Sequence, residues 1–202
     1  MTVKDAVAMR RSIRKFTDQP VSRDELLELL EVARLSPSGC NAQPWRFRLV
    51  TDRPTIEWFA GPATSRQRWI AKAGAVIVCC VDTDAYMSDS RASIGALRDA
   101  GLLTPEFALE VEVLYLKPAE CGPPGILKGA AALNLAIAMS AMMLRAVELG
   151  LGTTWIGRLE EALVKDRLSL PGHLGVVALL AVGRPAEEPG PRPRKSMEDI
   201  LV

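Results

Sequence analysis

Apolar and polar positions follow each other along this chain in three rhythms, and each rhythm predicts an element. After Ser22 the apolar residues Leu26, Leu29, Leu30 and Ala33 recur every third or fourth position, which is one stripe of a helix. Ser22 with Glu25 forms a capping box ahead of that stripe, and Pro37 stops it, so a helix is predicted from Ser22 to about Leu35. A shorter helix is expected over Thr2–Met9, with Thr2 as its cap and Val3, Ala6 and Val7 on its apolar side. The second rhythm is alternation. Trp45–Val50 switches between apolar and charged residues, as a strand with one covered face does. The third is unbroken apolarity. Ala75–Val81 and Val176–Val182 read as interior strands. Leu127–Gly150, rich in Ala and Met, reads as a helix that is apolar nearly all round, and its densest run, Gly129–Leu144, is short for a bilayer crossing. Such a helix fits either the core of a monomer or a packing surface between two copies.

Other stretches are less regular. Arg53–Trp69 is mixed and is expected to be helical with breaks, with Trp58, Phe59 and Trp69 serving the core. Gly152–Gly157 is a tight glycine-bounded segment, and Glu160–Arg167 a short helix. Residues 82–125 form an excursion, part helical and part loop, punctuated by Thr104-Pro105 and by the Cys121–Gly125 breaker run. It is placed to lie over a site.

At 202 residues the chain is expected to be one domain carrying that excursion. The net charge of +1 gives no global field toward nucleic acid or membrane, so any anion must be held by a local cluster. The cysteines, Cys40, Cys79, Cys80 and Cys121, form no C-x-x-C pair; their usage fits a reducing compartment and no metal site. Cys79 and Cys80 are neighbours in a strand and should face opposite ways. His173 is the single histidine. Met1–Phe16 has no apolar leader segment, and a cytoplasmic location is expected.

Two places carry candidate chemistry. The first is the loop Ser36-Pro37-Ser38-Gly39-Cys40-Asn41-Ala42-Gln43-Pro44-Trp45, held between a helix and a strand. Its small residues and its Asn/Gln pair suit close approach to a flat polar ligand, while a plain connector carries similar residues. It has no nucleophile–base pair. The second place is the two basic ends. If Arg10–Phe16 is extended, Arg10, Ser12 and Arg14 share a side and match a phosphate monoester. Arg192 and Arg194 share a side of a proline-held tail in the same way. A solvated basic turn is the other reading of such a cluster. No G-x-G-x-x-G or Walker loop is present.

Taken together, Arg10–Phe16, Ser36–Trp45, Gly150–Gly157 and Arg192–Lys195 resemble, in order and spacing, the FMN-dependent nitroreductase family. The resemblance implies an α+β nitroreductase-like sandwich, a mainly antiparallel sheet flanked by helices, in an intertwined homodimer with flavins at the interface. It implies that Arg10, Arg11, Ser12, Arg14, Arg192 and Arg194 hold the FMN phosphate and ribityl chain. Pro37, Ser38, Gly39, Asn41 and Gln43 of the other subunit would contact the ring system. Trp155, Ile156 and Gly157 would border the flavin, with the backbone of Ile156 and Gly157 near N5. The implied reaction is ping-pong: NAD(P)H gives hydride to N5, and a small oxidised acceptor (nitroaromatic, quinone or similar) takes it, with no essential side-chain acid or nucleophile. Arg158 departs from the usual family pattern, where a smaller or acidic residue is common, and residues 82–125 match no family pattern. A flavin carrier or a flavin-fragmenting enzyme of the same fold, and a phosphate- or nucleic-acid-binding module, are the rival readings. Near-neutral charge and few aromatic residues argue against the last.

Overall fold

The computed structural model describes residues 1–123 and 125–202; Pro124, in the Cys121–Gly125 run, lies outside them. Four antiparallel strands make the spine: β1 (Trp45–Val50), β2 (Ala75–Asp82), β3 (Gly152–Ile156) and β4 (Leu174–Gly183), in the order β1-β2-β4-β3. The two unbroken apolar runs are its central strands, and every residue of β2 is buried. A strand covered on both faces needs apolar residues at every position, which is why alternation vanishes there. Cys79 and Cys80 point to opposite faces, as expected: Cys79 packs with Leu26, Leu29 and Met139, and Cys80 with Ile56, Phe59 and Ile70.

Helices cover both faces, so the expected α+β sandwich is the architecture found. One face carries α2 (Arg23–Arg34) and α7 (Ile126–Glu148). The other carries α3 (Arg53–Phe59), 3-10 turns at Pro62–Thr64 and Arg68–Lys72, and α8 (Glu161–Leu168). Capping boxes form at both expected places, Thr2 with Asp5 for α1 (Val3–Met9) and Ser22 with Glu25 for α2. Only Ala6 of the α1 stripe is buried; Val3 and Val7 face out. Leu30 is half-buried at the edge of the α2 stripe.

The structure corrects or sharpens three expectations. At 23 residues α7 is longer than the Gly129–Leu144 run, and its length and apolarity would allow it to cross a bilayer. Its place in the fold comes instead from packing, with Ala131, Leu135, Ala138, Met139 and Met142 buried against α2 and the sheet. The tight glycine-bounded segment is a strand over Gly152–Ile156, because β4 offers it a free edge. The excursion is mostly helical: α4 (Tyr86–Asp99), α5 (Pro105–Val111), a π turn (Glu112–Leu116) and α6 (Lys117–Glu120). Arg91 on α4 pins it together, with Nε 3.0 Å from Glu112 Oε2 and Nη2 2.8 Å from Glu120 Oε2.

One irregular segment ties the chain ends to the sheet. Residues 12–17 run as a strap along β3 and past the end of β4. Ile13 N donates to Thr153 O at 3.0 Å, and Thr154 Oγ1 donates to Ile13 O at 2.6 Å. Thr17 N donates to Arg184 O, and Ala186 N donates to Lys15 O, each at 2.9 Å. Gly152 makes the approach possible: a Cβ there would lie 2.7–2.9 Å from three atoms of the Ile13 side chain.

Candidate active site

The strap decides where the basic residues go. At the end of α1, Arg10 leaves helical geometry (φ −56°, ψ 128°) and the chain becomes extended. Arg11 folds back and donates through Nη1 to Ala8 O at 2.6 Å and Arg10 O at 2.8 Å, capping the helix. Its Nε is buried and has no hydrogen-bond partner among the described residues. The Arg14 guanidinium sits over the Trp69 ring, 5.9 Å from its centroid, a cation–π contact that fixes a flexible side chain. The backbone amides of Arg14 and Lys15 both donate to Glu187 Oε1, at 2.6 and 3.0 Å. That carboxylate, with the Ala186–Lys15 bond, brings the tail after β4 alongside the strap.

The result is a cleft of about 240 Å³ lined by Arg10, Arg11, Ser12, Arg14, Pro189, Arg192 and Arg194. Residues from the two ends of the sequence therefore meet, Arg11 among them. None of the five arginines is in an ion pair among the described residues, whereas Arg46, Arg91, Arg145 and Arg184 all pair with carboxylates. Clustered guanidinium groups without a counter-charge repel one another; an anion with several oxygens turns that repulsion into charge-assisted hydrogen bonds.

The loop after α2 is built differently. It makes a 3-10 turn at Gly39–Asn41, with Cys40, Asn41 and Gln43 at φ of 52°, 51° and 47°. Ser38 Oγ accepts from Gln43 N at 3.0 Å, and Ser93 Oγ on α4 donates to Asn41 O at 2.9 Å. Gly39 N donates to Asn134 Oδ1 on α7 at 2.9 Å. Asn134 Nδ2 donates to the Tyr86 hydroxyl at 3.3 Å. Burial, with Tyr115 beside it, pushes the Tyr86 phenol up to about 12. Pro37, Ser38, Gly39, Asn41 and Gln43 do not line the arginine cleft, nor do Trp155, Ile156 and Gly157. Ile156 is buried in β3, Trp155 is half-buried, and Gly157 is exposed just past the strand. One protomer thus gathers the basic residues but not the loop.

The sequence reading missed Asn134, Tyr86, Trp69 and Glu187. For Asn134 a signal exists, an amide inside the most apolar run of the chain. Trp69 and Glu187 carry none, because their partners lie far away in sequence.

Residues 7–184 match the Nitroreductase family. The chain belongs to the nitroreductase family. An NADH dehydrogenase of Thermus thermophilus is 29% identical over 100% of this chain and 96% of its own length. The FMN reductase [NAD(P)H] of Bacillus subtilis is 29% identical over 94% of this chain and 68% of its own. A solved structure from Exiguobacterium sibiricum, in complex with FMN, superposes with a TM-score of 0.82 at 24% identity, covering 100% of this chain and 97% of that one, and shares the nitroreductase fold. The nitroreductase match takes in the strap and the loop and stops short of Arg192 and Arg194, which join the site through Glu187 and the tail.

Proposed function

We propose that this nitroreductase is an FMN-dependent oxidoreductase that passes reducing equivalents from NAD(P)H to a small oxidised acceptor such as a nitroaromatic or a quinone. The observation that carries the reading is the arginine cleft. Five guanidinium groups, with Arg11 Nε unsatisfied among the described residues, and the Ser12 side chain form a donor set matched to a phosphate monoester. FMN, when bound, would supply hydride-transfer chemistry between NAD(P)H and the acceptor. The protein supplies placement. Arg10, Ser12, Arg14, Arg192 and Arg194 anchor the phosphate end, and the β3 terminus at Ile156 and Gly157 borders the ring. No side chain is assigned a proton-transfer or nucleophilic role.

The reading requires a homodimer. Pro37, Ser38, Gly39, Asn41 and Gln43 lie away from the cleft of their own chain, so a second copy has to bring them to the ring. The outer side of α7 supports this, with Leu133 72% and Ile137 46% exposed on a helix whose opposite side packs in the core. Val3 and Val7 of α1 are exposed as well. Large apolar side chains clustered in water mark an interaction surface. Free cysteines throughout the described residues suit the cytoplasm.

The test is an absorbance spectrum of purified protein incubated with FMN, then with NADH or NADPH. Stable yellow protein that bleaches with either nucleotide and recovers on adding an acceptor is expected. Protein that retains no FMN refutes the reading. Yellow protein that neither nucleotide bleaches would make it a flavin carrier.

A further inference from the structure

Asn134 is out of place by composition. The buried side of α7 is otherwise Ala131, Leu135, Ala138, Met139, Met142 and Ala146, yet Asn134 is only 9% exposed among them. Burying an amide is unfavourable unless its hydrogen bonds are made. Here they are made, and across three elements. Oδ1 accepts from Gly39 N at 2.9 Å, and Nδ2 donates to Ala130 O at 3.0 Å and to the Tyr86 hydroxyl at 3.3 Å. Tyr86 opens α4, and Tyr115 of the π turn lies beside it. One side chain therefore joins the loop, the central helix and the excursion.

The loop it holds is strained. Cys40, Asn41 and Gln43 all have positive φ, a region that asparagine visits readily but where Cys40 and Gln43 stay only if their surroundings force them. Within the loop Ser38 Oγ accepts from Gln43 N, and Arg46 on β1 donates to Gln43 O. From the helices, Asn134 on α7 grips Gly39, immediately before the first residue of positive φ, and Ser93 on α4 grips Asn41 O. A Cβ at Gly39 would make only ordinary contacts, 3.8 Å from Asn134 Oδ1 and from the Tyr115 hydroxyl, so the grip is on the backbone amide and not on the absence of a side chain.

We infer that Asn134 is a positioning residue for the flavin. It holds the Ser38–Gln43 loop in the strained shape in which Asn41 and Gln43 meet the ring system bound by the other protomer, and through Tyr86 it ties the excursion to that loop. The inference rests on the FMN reading but uses residues away from the phosphate cleft. Asn134 touches no flavin itself; it acts through Gly39.

The test compares Asn134→Leu with Asn134→Asp in the FMN-loaded protein. Leucine removes the acceptor for Gly39 N. Aspartate keeps the acceptor for Gly39 N, and the Tyr86 hydroxyl can turn to donate to its second oxygen; the bond to Ala130 O within α7 is lost, so the restoration is partial. The expected result for Asn134→Leu is FMN affinity within about tenfold of wild type, since the arginines are intact. Its flavin absorption band and midpoint potential should shift, the KM for acceptor should rise, and the Gly39 amide should exchange faster. Asn134→Asp should restore all four toward wild type. If Asn134→Leu does not fold, Ser93→Ala, which releases Asn41 O alone, should produce the same shifts in smaller measure. Wild-type band, potential, KM and exchange in the leucine variant, or in Ser93→Ala where that variant stands in for it, would overturn the inference, as would an aspartate variant as disturbed as the leucine one. Wild-type protein that takes up no FMN would overturn the parent reading along with it, whereas unchanged variants of a yellow protein sink this inference alone.

Discussion

Replacing Gly152 by alanine should damage flavin binding although the residue lines no part of the arginine cleft. The added Cβ would sit 2.7 Å from Ile13 Cγ1, 2.8 Å from Ile13 Cβ and 2.9 Å from Ile13 Cγ2. Side-chain rotation alone does not relieve this, because Ile13 Cβ moves only with its backbone. That backbone is held by Ile13 N to Thr153 O and by Thr154 Oγ1 to Ile13 O. The strap must lift from β3 or the strand must give way. Overpacking of this kind costs about 1–3 kcal/mol. For a chain of this size that is a fall in Tm of about 2–12 °C. Ser12 and Arg14 ride on the same strap, so a misplaced charged hydrogen bond adds about 1.5–3 kcal/mol to FMN release. That corresponds to roughly 10- to 150-fold weaker retention. Thermal denaturation of the apoprotein and fluorescence titration with FMN measure the two effects. Gly95→Ala is the control: its Cβ meets nothing within 4 Å in α4, and it should stabilise the helix by ~0.5–1 kcal/mol. A Gly152→Ala protein with the Tm and FMN affinity of wild type would refute the argument that the strap's closeness to β3 sets the cleft.

Arg10→Ala or Arg194→Ala should each weaken FMN retention by about 1.5–3 kcal/mol; full flavin occupancy in both variants after desalting would contradict the phosphate assignment. Leu133→Glu places a charge on the exposed apolar side of α7, so sedimentation should show monomer and the flavin should be lost with it; a dimeric yellow variant would exclude that surface as the interface. The Ser22 backbone amide, followed by its hydroxyl and Arg184, holds the Glu25 carboxyl below its ordinary 4.5. A depressed carboxylate stabilises the fold above its unfolded-state value, and that contribution fades as pH falls below 4.5 through the folded-state value. Glu25→Gln should therefore flatten the acid limb of a stability–pH curve, and an unchanged limb would rule the residue out. Burial raises the Cys79 thiol well above 9 and the Cys80 thiol to about 11. Alkylation at neutral pH should accordingly mark exposed Cys121 and spare both until the protein is denatured, as peptide mapping would reveal.

Much of this protein is decided locally and was legible in its residues. The capping boxes at Thr2 and Ser22, the unbroken strands Ala75–Val81 and Val176–Val182, and the opposed faces of Cys79 and Cys80 need only neighbours in the chain, and periodicity records them. The basic character of Arg10–Arg14 and Arg192–Arg194 was equally plain. Their meeting was not, because it depends on a carboxylate, Glu187, reaching two amides 173 and 172 residues earlier. The excursion resisted reading for a related reason: its helices are pinned by Arg91 reaching across to Glu112 and Glu120, a contact without period or motif. Gly152–Ile156 became a strand because an edge of β4 was waiting for it. Asn134 looked like a blemish in an apolar helix until the fold set Gly39 against it. Hydrophobic pattern and capping chemistry act over a few residues and write themselves into the sequence. Pairing between distant polar groups exists only once the core has closed and brought them within reach.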